Sequence, residues 1–101
     1  MKPILKQGEK TRKKIMDAGL KLWIDQNGNV NSHQIAVVLD MTHSAVLYHY
    51  KTVENLRNSI AEHAVNTGNS RVIMHLVALR HPSVDKLDAD TRARHVRIAQ
   101  S

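Results

Sequence analysis

Residues 31–51, NSHQIAVVLDMTHSAVLYHYK, constrain the fold more than any other stretch of the chain. A short apolar run, Ile35 to Leu39, is followed by Asp40-Met41-Thr42 and then by a second amphipathic run, Ala45 to Tyr50. Asn31 with Gln34 three residues later has the form of a capping box, and Thr42 stands where a second helix needs its cap. Two short helices separated by about three residues is the spacing of a helix-turn-helix, whose second helix enters the major groove of DNA. In this register Ile35, Val38 and Leu39 face inward, and Val37 and Met41 complete the packing between the two helices.

The remainder of the chain agrees with an all-α fold, a small helical bundle containing that motif. With 101 residues, 42% of them hydrophobic, there is enough apolar surface for one modest core. Phe is absent and only Trp23, Tyr48 and Tyr50 are aromatic, so Leu, Ile, Val, Met and Ala must fill that core. Apolar residues recur at helical spacing, and no sustained alternation indicates a strand. A first helix is predicted over about 11–26, with Ile15, Ala18, Gly19, Leu22 and Trp23 on its buried stripe and Asn27-Gly28-Asn29 as its stop. The second covers 32–39. The stripe Val46, Tyr50, Val53, Leu56, Ile60 and Ala64 predicts helix over 43–65, either as one rod or as two with a bend near Lys51-Thr52. After the break Asn66–Ser70, a short apolar helix over 71–80 ends at His81-Pro82. It either caps the core or forms a dimer seam. Ser83 is a candidate cap for a further turn, and a last helix occupies 90–100.

Charge divides the chain further. The net charge is +6, but residues 1–14 alone carry six Lys or Arg against Glu9. Residues 15–70 are net acidic by two, and residues 71–101 carry six Arg or Lys against three Asp. The expected organisation is a basic flexible arm over 1–10, a DNA-binding domain over 11–65, and a helical extension over 66–101 available for dimerisation. Arg12, Lys13 and Lys14 fall in the first turn predicted for the first helix, where the macrodipole disfavours cations. A phosphate docked on the free N–H groups of that end would explain them.

Within the motif, His43, Ser44, Ala45, Tyr48 and His49 are suited to base edges in the major groove. Arg12, Lys13, Asn31, Ser32, Thr42 and Lys51 are placed to grip phosphates, and His33 is a further candidate for DNA contact. Thr42 either caps its helix or spends its hydroxyl on a phosphate. Tyr50 lies on the core stripe, whereas Tyr48 lies on the opposite face beside Ser44 and Lys51. The arm Lys2–Lys10 would follow the backbone or enter the minor groove.

Two families are similar to parts of this chain. Residues 11–65 resemble the N-terminal DNA-binding domain of TetR-type repressors. The resemblance is carried by Thr11-Arg12, Ile15, Asp17-Ala18, Leu20, Leu22-Trp23 and Gly28, then Ile35-Ala36, Tyr48-His49-Tyr50-Lys51, Glu54, Leu56 and Ile60-Ala61. It implies phosphate contacts from Arg12, Ser32, Thr42 and Lys51, with His43, Ser44, Ala45 and Tyr48 in the major groove. Leu47 stands where that family usually has Tyr, and Asp40 where it favours Gly. Only some 35 residues follow, so the family's ligand-binding domain does not carry over. The second resemblance is shorter. Thr42-His43-Ser44-Ala45-Val46-Leu47, then Lys51-Thr52-Val53-Glu54-Asn55-Leu56, is similar to the signature of the C-terminal DNA-binding domain of the replication initiator DnaA, with Thr42 and Ala45 departing from it.

Other chemistry finds little footing. Without Cys there is no thiolate metal site, disulfide or thiol redox centre. Seven His are present, but no pair has HExxH spacing and no carboxylate cluster accompanies them. No Ser/His/Asp order or Gly-rich phosphate loop indicates an enzyme, and no cofactor or small-molecule effector is expected. The apolar runs are far too short for a bilayer span, and no signal peptide is evident. The expectation is a cytoplasmic, nucleoid-associated regulator, a repressor acting as a homodimer on double-stranded DNA. An origin-binding replication factor is the alternative within the class. A small interaction module using its basic ends on an acidic host protein is the alternative outside it.

Overall fold

Every α-helix after the first begins on a side chain that caps it. Asn31, Thr42, Thr52, Asn69 and Asp88 each accept a hydrogen bond from the backbone N–H three residues on, at 2.7–3.1 Å. These are the residue types that satisfy the otherwise orphaned N–H groups of a helix start. At Asn31 the box is reciprocal, since Gln34 Oε1 accepts from the Asn31 N–H at 3.0 Å. The computed structural model describes residues 7–101, in which α1 spans Gln7–Asp25, α2 Ser32–Leu39 and α3 His43–Tyr50. α4 spans Val53–Thr67, α5 Ser70–Ala78, and α6 Ala89–Gln100, with a 3-10 turn at Pro82–Lys86 before α6. No strand occurs among the described residues, so the chain is all-α.

Several boundaries differ from those predicted. α1 starts at Gln7 rather than Thr11, and Glu9 is the acidic residue of its first turn. Arg12, Lys13 and Lys14 therefore lie beyond the first turn, where each N–H is already bonded to the carbonyl four residues earlier. The anion site expected at that helix end does not form from them. Lys10 belongs to α1, while Lys2 and Lys6 of the expected arm lie outside the described residues. The stripe over 43–65 is interrupted at Lys51-Thr52, giving two helices. The break after α4 shrinks to Gly68 in a left-handed C-cap (φ 70°) and Asn69 as the next N-cap. Before the 3-10 turn, His81 rather than Ser83 is the cap, and Ser83 is buried.

The core runs through α1 to α5. Ile15, Ile35, Val46, Leu56, Ile60, Ile73 and Leu76 are fully enclosed, with Trp23 and Val84 at its edges. Gly19 lets α1 approach α4 closely: a Cβ there would lie 2.5 Å from Ile60 Cδ1 and 2.7 Å from its Cγ1. α5 supplies Val72, Ile73 and Leu76, so it completes the core of the preceding helices. α6 contributes no buried residue and lies chiefly on α5. Arg92 anchors its start by donating to the carbonyls of Leu87 at 2.8 Å and Val84 at 3.3 Å.

Four of the seven His tie elements together. His75 accepts from the Trp23 indole N–H through Nδ1 at 2.9 Å and meets Asn27 Oδ1 through Nε2 at 2.8 Å. His81 accepts from the Ser83 N–H and reaches Asn58 of α4. His95 bonds Ser70 across α5 and α6 at 2.8 Å, and His63 faces Asp17 at 3.6 Å. The other three, His33, His43 and His49, lie on α2 and α3.

Candidate nucleic-acid interface

α2 and α3 are joined by a three-residue connection, Asp40-Met41-Thr42. Asp40 adopts the left-handed conformation (φ 54°, ψ 51°), and its N–H turns back toward the carbonyls of Ala36 and Val37. Aspartate tolerates this region better than most side chains, which accounts for a sharp turn built without glycine. Met41 then packs on the core and its N–H bonds Ala36 O at 3.0 Å. On α3, Val46 is fully buried while Leu47 and Tyr50 are partly so. The opposite face is therefore left to solvent.

That face carries His43, Ser44 and Tyr48, all exposed, with Tyr48 at 74%. Lys51, at the C-terminal end, places its amine 5.6 Å from the Tyr48 ring centroid, a cation–π distance. His49 meets the Tyr48 ring edge-on at 5.4 Å and is half-buried, as is Ala45. At the other end of α3, His43 stacks on His33 of α2 with ring centroids 4.2 Å apart and planes inclined by 26°. From α1, Arg12 comes close to this group. Burial pushes the Tyr50 hydroxyl pKa up, and the charge of the Arg12 guanidinium pulls it partly back. The ring of His49 lies about 4.0 Å from the position of a Cβ on Gly8, so the start of α1 borders the C-terminal half of α3.

The structure thus brings Arg12, His33, His43, Ser44, Tyr48, His49 and Lys51 onto or beside one surface. Other residues expected there are placed differently. Ser32 is only 2% exposed in the first turn of α2, which withdraws its hydroxyl from any phosphate outside. Lys13 is directed along α1 to Asp17 at 2.9 Å, and the other Asp17 oxygen faces His63 of α4. It is exposed, but its amine already has an anionic partner. Asn31 and Thr42 spend their side-chain oxygens on helix caps. Capping leaves the Thr42 hydroxyl proton and the Asn31 amide N–H groups as donors.

Val37 and Val38 correct the expected orientation of α2. They are 82% and 56% exposed instead of filling the interface between the helices. Five successive apolar residues, Ile35 to Leu39, mark no face by periodicity. In the structure Ile35 and Ala36 are buried and Leu39 packs partly buried against the core. Two apolar side chains consequently lie in solvent on the helix next to α3.

Lys51 has an unusual backbone. With φ 71° and ψ −52°, and with the Thr52 N–H bonded to Tyr50 O at 2.8 Å, it forms a γ-turn of the positive-φ kind. Such a conformation at a non-glycine residue costs about 1–3 kcal/mol. The turn ends α3 abruptly and starts α4 within two residues. It also fixes the Lys51 side chain at the edge of the exposed face.

Electrostatically the cations Arg12 and Lys51 both lie toward the C-terminal end of α3, with the acidic Asp40 and Glu54 exposed in the adjoining turn and helix start. Among the described residues no group of three or more His, Asp or Glu is arranged to hold a metal. No helix among them is long and apolar enough to cross a membrane. No family model, curated protein or solved structure matches this chain.

Proposed function

We propose that the protein binds double-stranded DNA through α3, with α2 and α3 acting as a helix-turn-helix, and that it regulates transcription. The observation that carries this reading is the exposed face of α3. His43, Ser44 and Tyr48 stand clear of the body along one side of a short helix, with Lys51 at its end and Arg12 and His33 beside it. Hydroxyl, imidazole and phenol groups at that spacing can read base edges, and the flanking cations can neutralise phosphates. A helix of eight residues reads only a few base pairs, so specificity would come from two copies on a two-fold operator. Repression in the cytoplasm would follow from occupancy of a promoter.

Binding of a labelled duplex across a salt series tests the reading. Several Lys and Arg contacts per protomer should give a log–log slope on the order of −4 or steeper. Absence of duplex binding even at low salt would sink it.

A further inference from the structure

A cleft of about 510 Å³ lies between the end of α1, the start of α4 and the end of α5. Its size falls within the ~300–1,000 Å³ of small-molecule sites. Trp23, Val53 and Leu79 supply apolar wall, and Leu79 is 56% exposed at its lip. Two opposite charges, Glu54 and Arg57, line the same cleft. They stand one turn apart on α4, where such a pair ordinarily associates. Among the described residues they form no ion pair. Arg57 Nε instead donates to the Val30 carbonyl, in the loop before α2, at 2.8 Å. Its terminal amino groups and the Glu54 carboxylate are left as separate donor and acceptor above an apolar floor.

We propose that this cleft is a binding site for a small zwitterion with an apolar side chain, an α-amino acid of the leucine or phenylalanine class. The ligand carboxylate meets the Arg57 amino groups, its ammonium meets Glu54, and its side chain lies against Trp23, Val53 and Leu79. A ligand with one charge only would forgo one of these two charge-assisted contacts, which disfavours simple acids and amines relative to the zwitterion. The proposal does not rest on the DNA-reading one and is testable without DNA.

Trp23 is the only tryptophan, so its emission reports on the cleft directly. Titration of the full chain with L-phenylalanine and with L-leucine should give a saturable change in Trp23 emission. Amide shifts of Gly28, Asn29 and Asn58 should move with the same midpoint. N-acetyl-L-phenylalanine, which lacks the cation, and L-phenylalaninamide, which lacks the anion, should each bind at least about tenfold more weakly. Glu54→Gln, at an exposed position, should remove the preference over the acetylated probe, and Leu79→Asp should weaken binding of both amino acids. No saturation at millimolar L-phenylalanine or L-leucine overturns the proposal. So does equal binding of the zwitterion and its two singly charged analogues, which would mark the cleft as a plain apolar groove.

Discussion

The imidazoles of His33 and His43 lie ring on ring at 4.2 Å, one from the first turn of α2 and the other from the first turn of α3. The stack joins the two helix starts on their exposed side, where the buried contacts of Ile35 and Val46 do not reach. It also fixes the direction in which His43 presents its ring to a ligand above α3.

A double-mutant cycle measures that coupling. His33→Ala and His43→Ala should each weaken duplex binding, and the double variant should lose less than the sum of the two. The expected difference is about 0.5–1.5 kcal/mol, the range of aromatic pairs. Fluorescence anisotropy with one labelled duplex at fixed salt provides the readout. Strict additivity would mean that the rings act independently.

Lys51 should show opposite signs for folding and for binding. Lys51→Gly relieves the positive φ of the γ-turn and should raise stability by up to about 1 kcal/mol in urea unfolding. The same change should lower affinity for all duplexes about equally and reduce the salt slope by about one. Ser44→Ala, on the exposed face, should leave stability within about 0.5 kcal/mol of wild type and instead relax sequence preference.

At Gly19 the two effects of adding a methyl group compete. Helix propensity favours alanine by about 1 kcal/mol. Against this, the new Cβ would lie 2.5 Å from Ile60 Cδ1, and Ile60 is fully enclosed and cannot swing aside. Overpacking of this kind costs about 1–3 kcal/mol, so Gly19→Ala should destabilise. Combining it with Ile60→Val, which removes Cδ1, should recover part of the loss. Thermal denaturation of the four proteins gives the answer.

Acid should weaken the fold through Asp17. The hydrogen bond from Lys13, aided by the charges of Lys13 and His63, holds its carboxyl pKa below the ordinary range despite slight burial. Because the folded value lies below the unfolded one, the contribution is complete above the unfolded carboxyl value of about 4. It disappears as pH falls through the lowered folded value. With Asp17 about half-exposed the effect is small, under about 1 kcal/mol. Asp17→Asn should flatten the melting temperature between about pH 5 and 2 relative to the parent chain. An unchanged acid slope would assign the pH dependence to other carboxylates, Asp88 foremost. Asp88 is likewise lowered, by its capping bonds to Thr91.

The helices were legible in the sequence where the determinants are local. Capping residues such as Asn31 and Thr42, the stop at Asn27-Gly28, and the stripe from Ile15 to Trp23 all act within a few residues, and they appear in the structure as expected. Tyr50 packed against the core and Tyr48 in solvent followed from the same periodicity. What stayed hidden depends on distant or non-periodic facts. Gln7 to Lys10 has no apolar stripe, so the start of α1 carried no signal. Ile35 to Leu39 is uniformly apolar, so periodicity does not single out Val37 and Val38 as exposed. The meeting of His33 with His43, and of Arg57 with the Val30 carbonyl, is made by tertiary packing that residue spacing does not encode.

The hydrogen bond from Trp23 to His75 has a consequence for which protein chemistry this position accepts. An indole only donates, so Nδ1 of His75 must keep its lone pair, and the ring proton sits on Nε2 facing the Asn27 amide oxygen. One neutral tautomer therefore serves as a two-sided rivet between the second turn of α5 and the C-terminal end of α1. Arginine or lysine could fill only the donating side, and aspartate only the accepting one.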